Sequence, residues 1–337
     1  MLEACVDYAV VGGLREDYFI TPNGEVHLRK IGGNAVYSAV GARLWSDRVG
    51  LLSRIGENYP AEWLGVIAAH GIDTGGVAVA PGPLDTRTFY AYLTREERDD
   101  TEPERHFARV GHPTPAALLG YATSTEGQAD PEHYSPLAVR PADVPPNYLR
   151  ARGFHLAPYD FALHRKLPRL LREHHVRYVT CDPSIRYMRP EFETEVRALA
   201  ASTDAFLPSE METRSYFPAP LDDLWEAAEA FGAMGAPCVV LKLGARGQYV
   251  YETAGRRRWH VPAYPVDVVD VSGAGDSYCG GFLAGLGITD DPLEAALRGS
   301  VAASFVVEGY GALYALDHGP ALAPARLEAL RGAVKRV

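Results

Sequence analysis

Three features that would assign this chain to a familiar class are missing. Its 337 residues contain no His-Glu-x-x-His pattern and no Cys-x-x-Cys spacing. They also contain no apolar run of about 18 residues, the length that a transmembrane helix needs. The first five residues combine neither a basic region nor a long apolar one. We therefore expect no structural metal site, no membrane association and a cytoplasmic location.

Cysteine is scarce, and the four cysteines lie far apart, at positions 5, 181, 238 and 279. This spacing indicates no disulfide framework. We expect reduced and mostly buried thiols at Cys5, Cys181, Cys238 and Cys279.

Positive charge is in deficit. The chain has 33 Lys and Arg against 43 Asp and Glu, which gives a formal net charge of -10. Such a balance argues against nucleic acid as a partner. A small anionic ligand would need a locally positive pocket.

The usual phosphate-binding signatures are also absent. No Gly is followed by Lys, so the chain has no P-loop. A dinucleotide fingerprint would need a glycine where Tyr278 stands, three residues after Gly275. Any nucleotide must therefore be bound by another motif.

Residues 266–283 contain a candidate for such a motif. A β-branched run (residues 266–271) precedes small residues and then a Gly-rich stretch, which predicts strand, turn and helix. The N–H groups of Gly273, Ala274 and Gly275 should lack helical partners and point toward a bound anion. Asp276 would repel a phosphate unless the chemistry needs a base there; the alternative is a plain helix N-cap.

The run Asp-x-Ser-Gly-Ala-Gly-Asp at residues 270–276, followed by a Gly-rich helix, resembles the signature of the ribokinase-like (PfkB) carbohydrate kinases. The resemblance implies that Asp276 is the general base and that Gly273, Ala274 and Gly275 form the anion hole. It also implies an α/β three-layer fold, with a central, mostly parallel sheet flanked by helices and a small β-sheet lid.

The alternation of strand-like and helix-like segments independently favours a parallel sheet. We expect one kinase domain over residues 1–337, with lid strands at about 15–31 and 84–107, the first pair joined as a hairpin around Asn23-Gly24. The second lid segment, residues 86–93, alternates like a half-exposed strand. In the family the lid often supplies a dimer contact, so a homodimer is expected. Residues 95–147 contain a mixed charge run and frequent Pro, which suggests irregular connections on the surface. The sequence does not assign a role to this region.

Candidate acceptor-binding residues follow the first predicted strand. Asp17 lies where open α/β sheets place ligands, although a surface carboxylate is the alternative. Gly32 and Gly33 permit close backbone approach, and Asn34 either contacts hydroxyls or caps a helix. The resemblance favours sugar binding for these residues, but Tyr37 replaces the usual Asn of the family motif.

The resemblance also implies a nucleotide site and metal ions. The turn with Gly244 and Gly247 is similar to the segment that wraps the nucleotide, where Lys242 and Arg246 would neutralise phosphate; surface exposure is the alternative for Arg246. Glu212 matches the residue that orders water around Mg²⁺, with Ser209 in place of Asn. The alternative is a helix cap formed by Ser209 and Glu212.

The loop Gly309-Tyr310-Gly311-Ala312 is similar to one that completes a monovalent cation site in the family. Asp270 and Ser272 would be its other ligands, which implies K⁺ as a further cofactor beside ATP and Mg²⁺. The sequence itself gives no independent sign of this ion.

Together these features predict transfer of the γ-phosphoryl group of ATP to a hydroxyl of a sugar or sugar-like alcohol. Two alternatives remain open. The acceptor could be a nucleoside whose base stacks on Tyr37 with Phe89 or Tyr90. The chain could also be a sensor that kept the fold and lost activity, although a pure binder gains nothing from Asp276 facing phosphate.

Overall fold

The computed structural model of the chain describes residues 6–94, 98–123, 125–217, 219 and 221–337. The strands are β1 Tyr8–Val11, β2 Arg15–Ile20, β3 Val26–Gly32, β4 Val49–Gly56, β5 Ile72–Ala80, β6 Arg87–Tyr92, β7 Arg98–Asp99, β8 Gly153–Leu156, β9 Tyr178–Cys181, β10 Ala205–Phe206, β11 Cys238–Lys242, β12 Gln248–Glu252, β13 Arg257–Val261 and β14 Lys335–Arg336. The α-helices are α1 Asn34–Arg43, α2 Ala61–Ala69, α3 Pro103–Arg109, α4 Phe161–Glu173, α5 Glu193–Ser202, α6 Glu210–Tyr216, α7 Leu224–Ala233, α8 Ala274–Thr289, α9 Pro292–Val306, α10 Tyr314–His318 and α11 Ala323–Arg331.

The larger sheet has the order β14-β13-β12-β11-β10-β9-β8-β1-β4-β5. Neighbours from β11 to β5 run parallel, and β12 to β14 extend the sheet in antiparallel fashion. The central strand β1 pairs Val10 with Leu51 of β4 on one side and with His155 of β8 on the other. The prediction of a central, mostly parallel sheet is confirmed.

Helices cover both faces of this sheet. Val10 belongs to a core shared with α1, α8, α9 and α11, and Val11 belongs to the opposite core shared with α4, α5 and α7. Successive strand residues point to opposite faces, so a strand covered on both sides is apolar throughout. The apolar runs in the sequence therefore mark the middle layer of three.

A second sheet, the lid sheet, has the order β3-β2-β6-β7. The predicted hairpin around Asn23-Gly24 forms its β2–β3 pair. The predicted half-exposure of the 86–93 strand is wrong, because residues 89–92 of β6 are all buried. Phe107 of α3 covers one face of the lid sheet and Tyr310 packs against the other.

The predicted strand at residues 266–271 is also wrong. This segment is irregular, and the N–H groups of Val269 and Asp270 both donate to the carbonyl of Val307, at 2.8 and 3.2 Å, instead of to a neighbouring strand. Its β-branched side chains serve another purpose, because Val266 and Val268 line a cavity. β-Propensity reflects a half-buried surface and does not require a sheet.

Three of the four thiols can be placed. Cys181, Cys238 and Cys279 are buried and form no disulfide, which confirms the prediction for them; Cys5 lies outside the described residues. Within the described ranges, no helix has the length and apolar character that crossing a membrane requires.

Candidate active site

Two cavities meet at the turn that precedes α8. One, the lid cavity, has a volume of about 330 Å³, lies beneath the lid sheet and is lined by Asp17, Asn34, Ser272, Gly273 and Asp276 among others. The other, the apolar cavity, measures about 590 Å³ and is lined by Val266, Val268, Val271, Ala274, Gly275 and Val307 among others. The turn at residues 271–276 is the wall that they share.

The geometry of this turn depends on Gly273. Its φ of +71° is left-handed, and a Cβ there would collide with the ring of Tyr37. Helix α8 then begins at Ala274, so its first N–H groups lack partners from within the helix. The sequence predicted three free amides, but the N–H of Ala274 donates to the carbonyl of Val271 at 3.2 Å. Among the described residues, the N–H groups of Gly273 and Gly275 have no hydrogen-bond partner.

Asp276 stands in the first turn of α8 and faces the lid cavity. No described side chain or backbone group donates a hydrogen bond to its carboxylate. Burial raises the pKa of the Asp276 carboxyl to about 6, and the charges of Lys242 and Arg98 oppose this rise. A carboxyl with this pKa is a competent proton acceptor near neutral pH.

Asp17 faces the same cavity from strand β2. Its side chain is only 6% exposed, and no donor within the described residues bonds to it. A Cβ at Gly32 would overlap the Asp17 carboxylate, so glycine at that position makes room for it. Burial raises the pKa of the Asp17 carboxyl to about 7, while Arg15 and Arg98 act against the rise.

Asn34 lines the lid cavity but is largely committed to the backbone. Its Oδ1 accepts from the N–H of Gly13 at 2.8 Å, and its Nδ2 donates to the carbonyl of Pro158. It therefore ties the loop after β1 to the loop after β8. The alternative that Asn34 caps α1 is wrong, because the N-cap is Gly33, whose φ is +103°.

Lys242 ends β11 and borders the apolar cavity. Its Nζ forms an ion pair with Asp182, which follows β9, and lies 3.6 Å from the Sγ of Cys279. Burial acts to lower the pKa of Lys242, but Asp182 and neighbouring acidic groups outweigh burial and raise it. The ammonium is therefore charged, and it lies 3.6 Å from the position that a Cβ on Gly275 would occupy. Its charge is thus beside the free amide of Gly275.

The glycine turn after β11 also borders the apolar cavity, and its role in nucleotide binding stays a prediction. Gly244 and Gly247 line it, with left-handed φ values of +61° and +86°. The interpretation of Arg246 as a phosphate ligand is not supported by this geometry. Its guanidinium pairs with Glu210, its side chain is 62% exposed, and it is absent from the cavity lining.

Glu212 lines the apolar cavity and also caps α6. Its Oε2 accepts from the N–H of Ser209 at 2.7 Å, and the Oγ of Ser209 accepts from the N–H of Glu212, a reciprocal capping box. The capping alternative is thus present. Oε1 has no partner among the described residues, which leaves one oxygen for a metal-bound water.

Asp270 and Ser272 lie together, but a residue of the lid sheet joins them. Tyr92 donates to Oδ1 of Asp270 at 2.8 Å, and its hydroxyl is 2.6 Å from the Oγ of Ser272. The N–H of Ser272 donates to the same Oδ1 at 2.8 Å. Among the described residues, no group of three or more His, Cys, Asp or Glu could hold a metal ion. K⁺ at this position stays a prediction.

Sequence reasoning missed part of the lid cavity. Its wall includes side chains from the region that the sequence left without a role, and from the segment after β9: Arg98, Asp100, Tyr121, Thr123, Thr125, Gln128 and Arg186. Neither their spacing nor their residue types signal a site. Asp182-Pro183, a turn-forming pair directly after β9, is a local sequence signal near Arg186.

The family model for pfkB family carbohydrate kinases matches residues 147–318. The chain belongs to this family. The matched segment includes the turn before α8, Lys242 and Glu212, whereas the lid sheet precedes it. The expected family and the expected class of enzyme are confirmed at this level.

Relatives of this pfkB family member include kinases with different acceptors. It is 27% identical to a cytidine kinase of Thermococcus kodakarensis over 295 residues, which cover 87% of this chain and 92% of the relative. It is 33% identical to a fructoselysine 6-kinase of Escherichia coli over 84 residues, or 25% of this chain and 31% of that one.

Solved structures confirm the ribokinase-like fold. An adenosine kinase from Sinorhizobium meliloti superposes with a TM-score of 0.71 at 18% identity, covering 97% of this chain and 100% of that one. A candidate ribokinase II from Escherichia coli, solved with ATP and Mg²⁺, gives a TM-score of 0.70 at 18% identity and covers 96% and 99% of the two chains. At these identities the likeness extends to the fold alone.

Proposed function

We propose that this pfkB family member acts as one kinase domain and transfers the γ-phosphoryl group of ATP to a hydroxyl of a sugar or sugar-like alcohol. One observation carries the proposal: the turn at residues 271–276 separates the lid cavity, which polar side chains line, from the apolar cavity. Asp276 faces the polar side and the free amide of Gly275 borders the apolar side. Acceptor and nucleotide would therefore meet across a single turn.

Phosphoryl transfer requires mainly positioning and charge stabilisation. In the proposed reaction Asp276 takes the proton of the acceptor hydroxyl, and that oxygen attacks the γ-phosphorus while the bond to the β-phosphate oxygen breaks. The amides of Gly273 and Gly275, with the ammonium of Lys242, lie where negative charge develops. Asp17 holds the acceptor by accepting bonds from its hydroxyls.

The residues at the apolar cavity also fit a nucleotide with Mg²⁺. Val266, Val268 and Val307 provide an apolar wall for a base. Mg²⁺ is usually held by one or two carboxylates, water and substrate phosphates, and the free oxygen of Glu212 suits such a site. The ion would offset the charge of the triphosphate.

A nucleoside acceptor is the second candidate. The similarity to a cytidine kinase, which extends over 92% of that relative, favours a nucleoside acceptor. The aromatic side chains proposed for stacking line the lid cavity, but each also packs against protein groups. Tyr90 stacks on Phe19 with ring centroids 5.3 Å apart, Phe89 packs toward Phe107, and Tyr37 lies against Gly273.

An ADP-release assay with pentoses, hexoses, sugar acids, sugar phosphates and nucleosides separates these possibilities. We expect ADP release with at least one alcohol acceptor, at a rate well above hydrolysis of ATP alone. Release with nucleosides only would select the second candidate. If no acceptor stimulates release although ATP binds, the chain is a sensor and the proposal is wrong.

The proposed base predicts how the rate depends on pH. Because Asp276 must be ionised, kcat/KM should fall about tenfold per pH unit below a pKa near 6. Because Asp17 loses its charge below a pKa of about 7, the decrease in kcat/KM should begin near pH 7.

The same two carboxyls affect stability in the opposite direction. Folding raises both pKa values, so their contribution to the free energy of unfolding is complete below the ordinary value of 3.8 and is lost as the pH rises through 6 to 7. Circular dichroism at each pH would show whether the protein stays folded where the rate falls. A kcat/KM that does not change from pH 5 to 8 would contradict the assignment of Asp276 as the base.

Asp17→Ala tests the acceptor site. Removing a charged hydrogen-bond acceptor should raise the acceptor KM or lower its turnover by about 10- to 100-fold, because such bonds contribute roughly 1.5–3 kcal/mol. The KM for ATP should not change, since Asp17 does not line the apolar cavity. Initial rates over both substrate concentrations would measure this. Equal weakening of ATP and acceptor would place Asp17 elsewhere.

A further inference from the structure

Three arginines line the lid cavity beside three aspartates, which is more cationic groups than a neutral sugar would need. Arg15, Arg98 and Arg186 all line it, on a chain whose net charge is -10. Neutral sugars are held by hydroxyl, amide and carboxylate groups, whereas the guanidinium fork matches carboxylates and phosphates. The position and partners of each arginine therefore bear on the acceptor.

Arg186 is the most informative of the three. It follows β9 and is partly buried, and its Nη1 donates to the Oγ of Ser184 at 3.2 Å. No carboxylate of the described residues lies within 4.0 Å of this guanidinium. Burial lowers the pKa of Arg186, and the neighbouring Arg15 adds to this effect.

Two other arginines with little exposed side chain pair with a carboxylate, whereas Arg140 donates to backbone carbonyls instead. Arg54 pairs with Asp143 at 2.9 Å, with 20% of its side chain exposed. Arg298 pairs with its neighbour Glu294 at 2.6 Å, with 11% exposed. A partly buried cation without a counter-ion is costly, so Arg186 stands where an anion would stabilise it.

The carboxylates that line the lid cavity leave Arg186 without an ion-pair partner. Arg15 and Arg98 both offset the charge of the Asp17 carboxyl, and Arg98 also offsets that of Asp276. Neither of these two carboxyls is among the groups that act on Arg186, and the exposed Asp100 acts on it from beyond 4.0 Å. An anionic group of the acceptor would thus bind Arg186 without displacing another ion pair.

We propose that the acceptor carries an anionic group, a carboxylate or a phosphate, which Arg186 binds in the lid cavity while the hydroxyl lies at Asp276. This inference rests on the proposed function, because it describes the acceptor of the same site. A guanidinium can bind either anion through two parallel hydrogen bonds. Arg186 then determines acceptor specificity without taking part in the transfer.

Matched acceptor pairs test this in the ADP-release assay. D-gluconate against D-glucose examines a carboxylate, and D-ribose 5-phosphate against D-ribose examines a phosphate. We expect kcat/KM to be at least tenfold higher for the anionic member of one pair. Arg186→Gln should reduce that anionic-to-neutral ratio by about 10- to 100-fold. Arg186→Lys, which keeps the charge and loses the fork, should fall between.

Arg189→Gln is the matched control. Arg189 lies three residues further on, is exposed, and is absent from the cavity lining, so the ratio should stay at its original value. Equal effects of the two Gln variants would overturn the role of Arg186. Turnover of neutral acceptors only would overturn the inference and leave the proposed kinase function intact.

Thermal unfolding gives a readout that does not require turnover. D-gluconate or D-ribose 5-phosphate should raise the Tm of the original protein and of Arg189→Gln, but not that of Arg186→Gln. If neither anion raises the Tm and neither is phosphorylated, the inference is wrong. If the shift depends on Arg186 and no acceptor releases ADP, anion binding stands and the proposed function fails.

Discussion

Asp276→Asn is expected to lower turnover by about 10²- to 10⁴-fold, the usual contribution of a positioned general base. Asn has nearly the same size and shape, so the wall between the two cavities should persist. It cannot accept the hydroxyl proton. Initial rates at saturating ATP and acceptor measure the loss.

ATP binding should survive this change or become tighter. Asp276 does not line the apolar cavity, and its removal takes a negative charge away from the place that a phosphoryl group would reach. Calorimetric titration with ATP would show this. Stability should not decrease, since burial raises the pKa of the Asp276 carboxyl and the neutral side chain avoids that cost.

Asp267→Asn is the matched control for the base. Asp267 is exposed, lies nine residues earlier in the same segment and lines neither cavity. We expect its turnover to equal that of the unchanged protein. Near-normal ADP production by Asp276→Asn would refute the base assignment, as would equal losses in the two variants.

Gly280→Ala is expected to lower the free energy of unfolding by about 1–3 kcal/mol or more, the range for overpacked sites. Helices α1 and α8 touch backbone to backbone. A Cβ on Gly280 would collide with the carbonyl oxygen of Ser38, and one on Gly41 with that of Ser277. Carbonyl groups within helices cannot move aside as side chains can, so the helices must separate.

The same substitution should also reduce turnover. Helix α8 carries Asp276 and the amide of Gly275, and α1 carries Asn34, which joins the loops after β1 and β8. A shift of about 1 Å in a reacting group can cost roughly 10²-fold in rate. Thermal unfolding and initial rates on one preparation would measure both effects.

Gly65→Ala is the control for helix glycines. Gly65 lies in the interior of α2, is exposed, and has no atom within 4 Å of a built Cβ. Alanine there should stabilise the fold by about 0.5–1 kcal/mol, because it restricts the unfolded chain and favours helix. Loss of stability in both variants would show that helix contact is not the cause at Gly280.

Local sequence predicted the elements whose conformation depends on a few neighbouring residues. The hairpin around Asn23-Gly24 and the turn at Gly273 follow from backbone conformations that favour glycine, and both form as expected. The buried parallel strands follow from short apolar runs. These patterns also carry the resemblance that identified the family.

The hydrogen bonds and ion pairs of individual side chains were harder to predict, because they depend on partners distant in the chain. Arg246 finds Glu210 on the surface, and the amide of Asn34 finds Gly13 and Pro158. Residue type alone cannot show whether a polar group will meet a ligand or the protein itself. The same holds for Ala274, whose N–H is taken by the carbonyl of Val271.

The sequence by itself determined the glycine turn before α8, the position of Asp276 and the layered parallel fold, because each depends on residues close together in the chain. Only the tertiary structure decided what surrounds them. It turned residues 266–271 from an expected strand into the wall of a cavity, and it brought Arg98 of the lid strand β7 and Arg186 of the segment after β9 to one cavity. Packing between distant segments fixes such neighbours, and no local pattern records them.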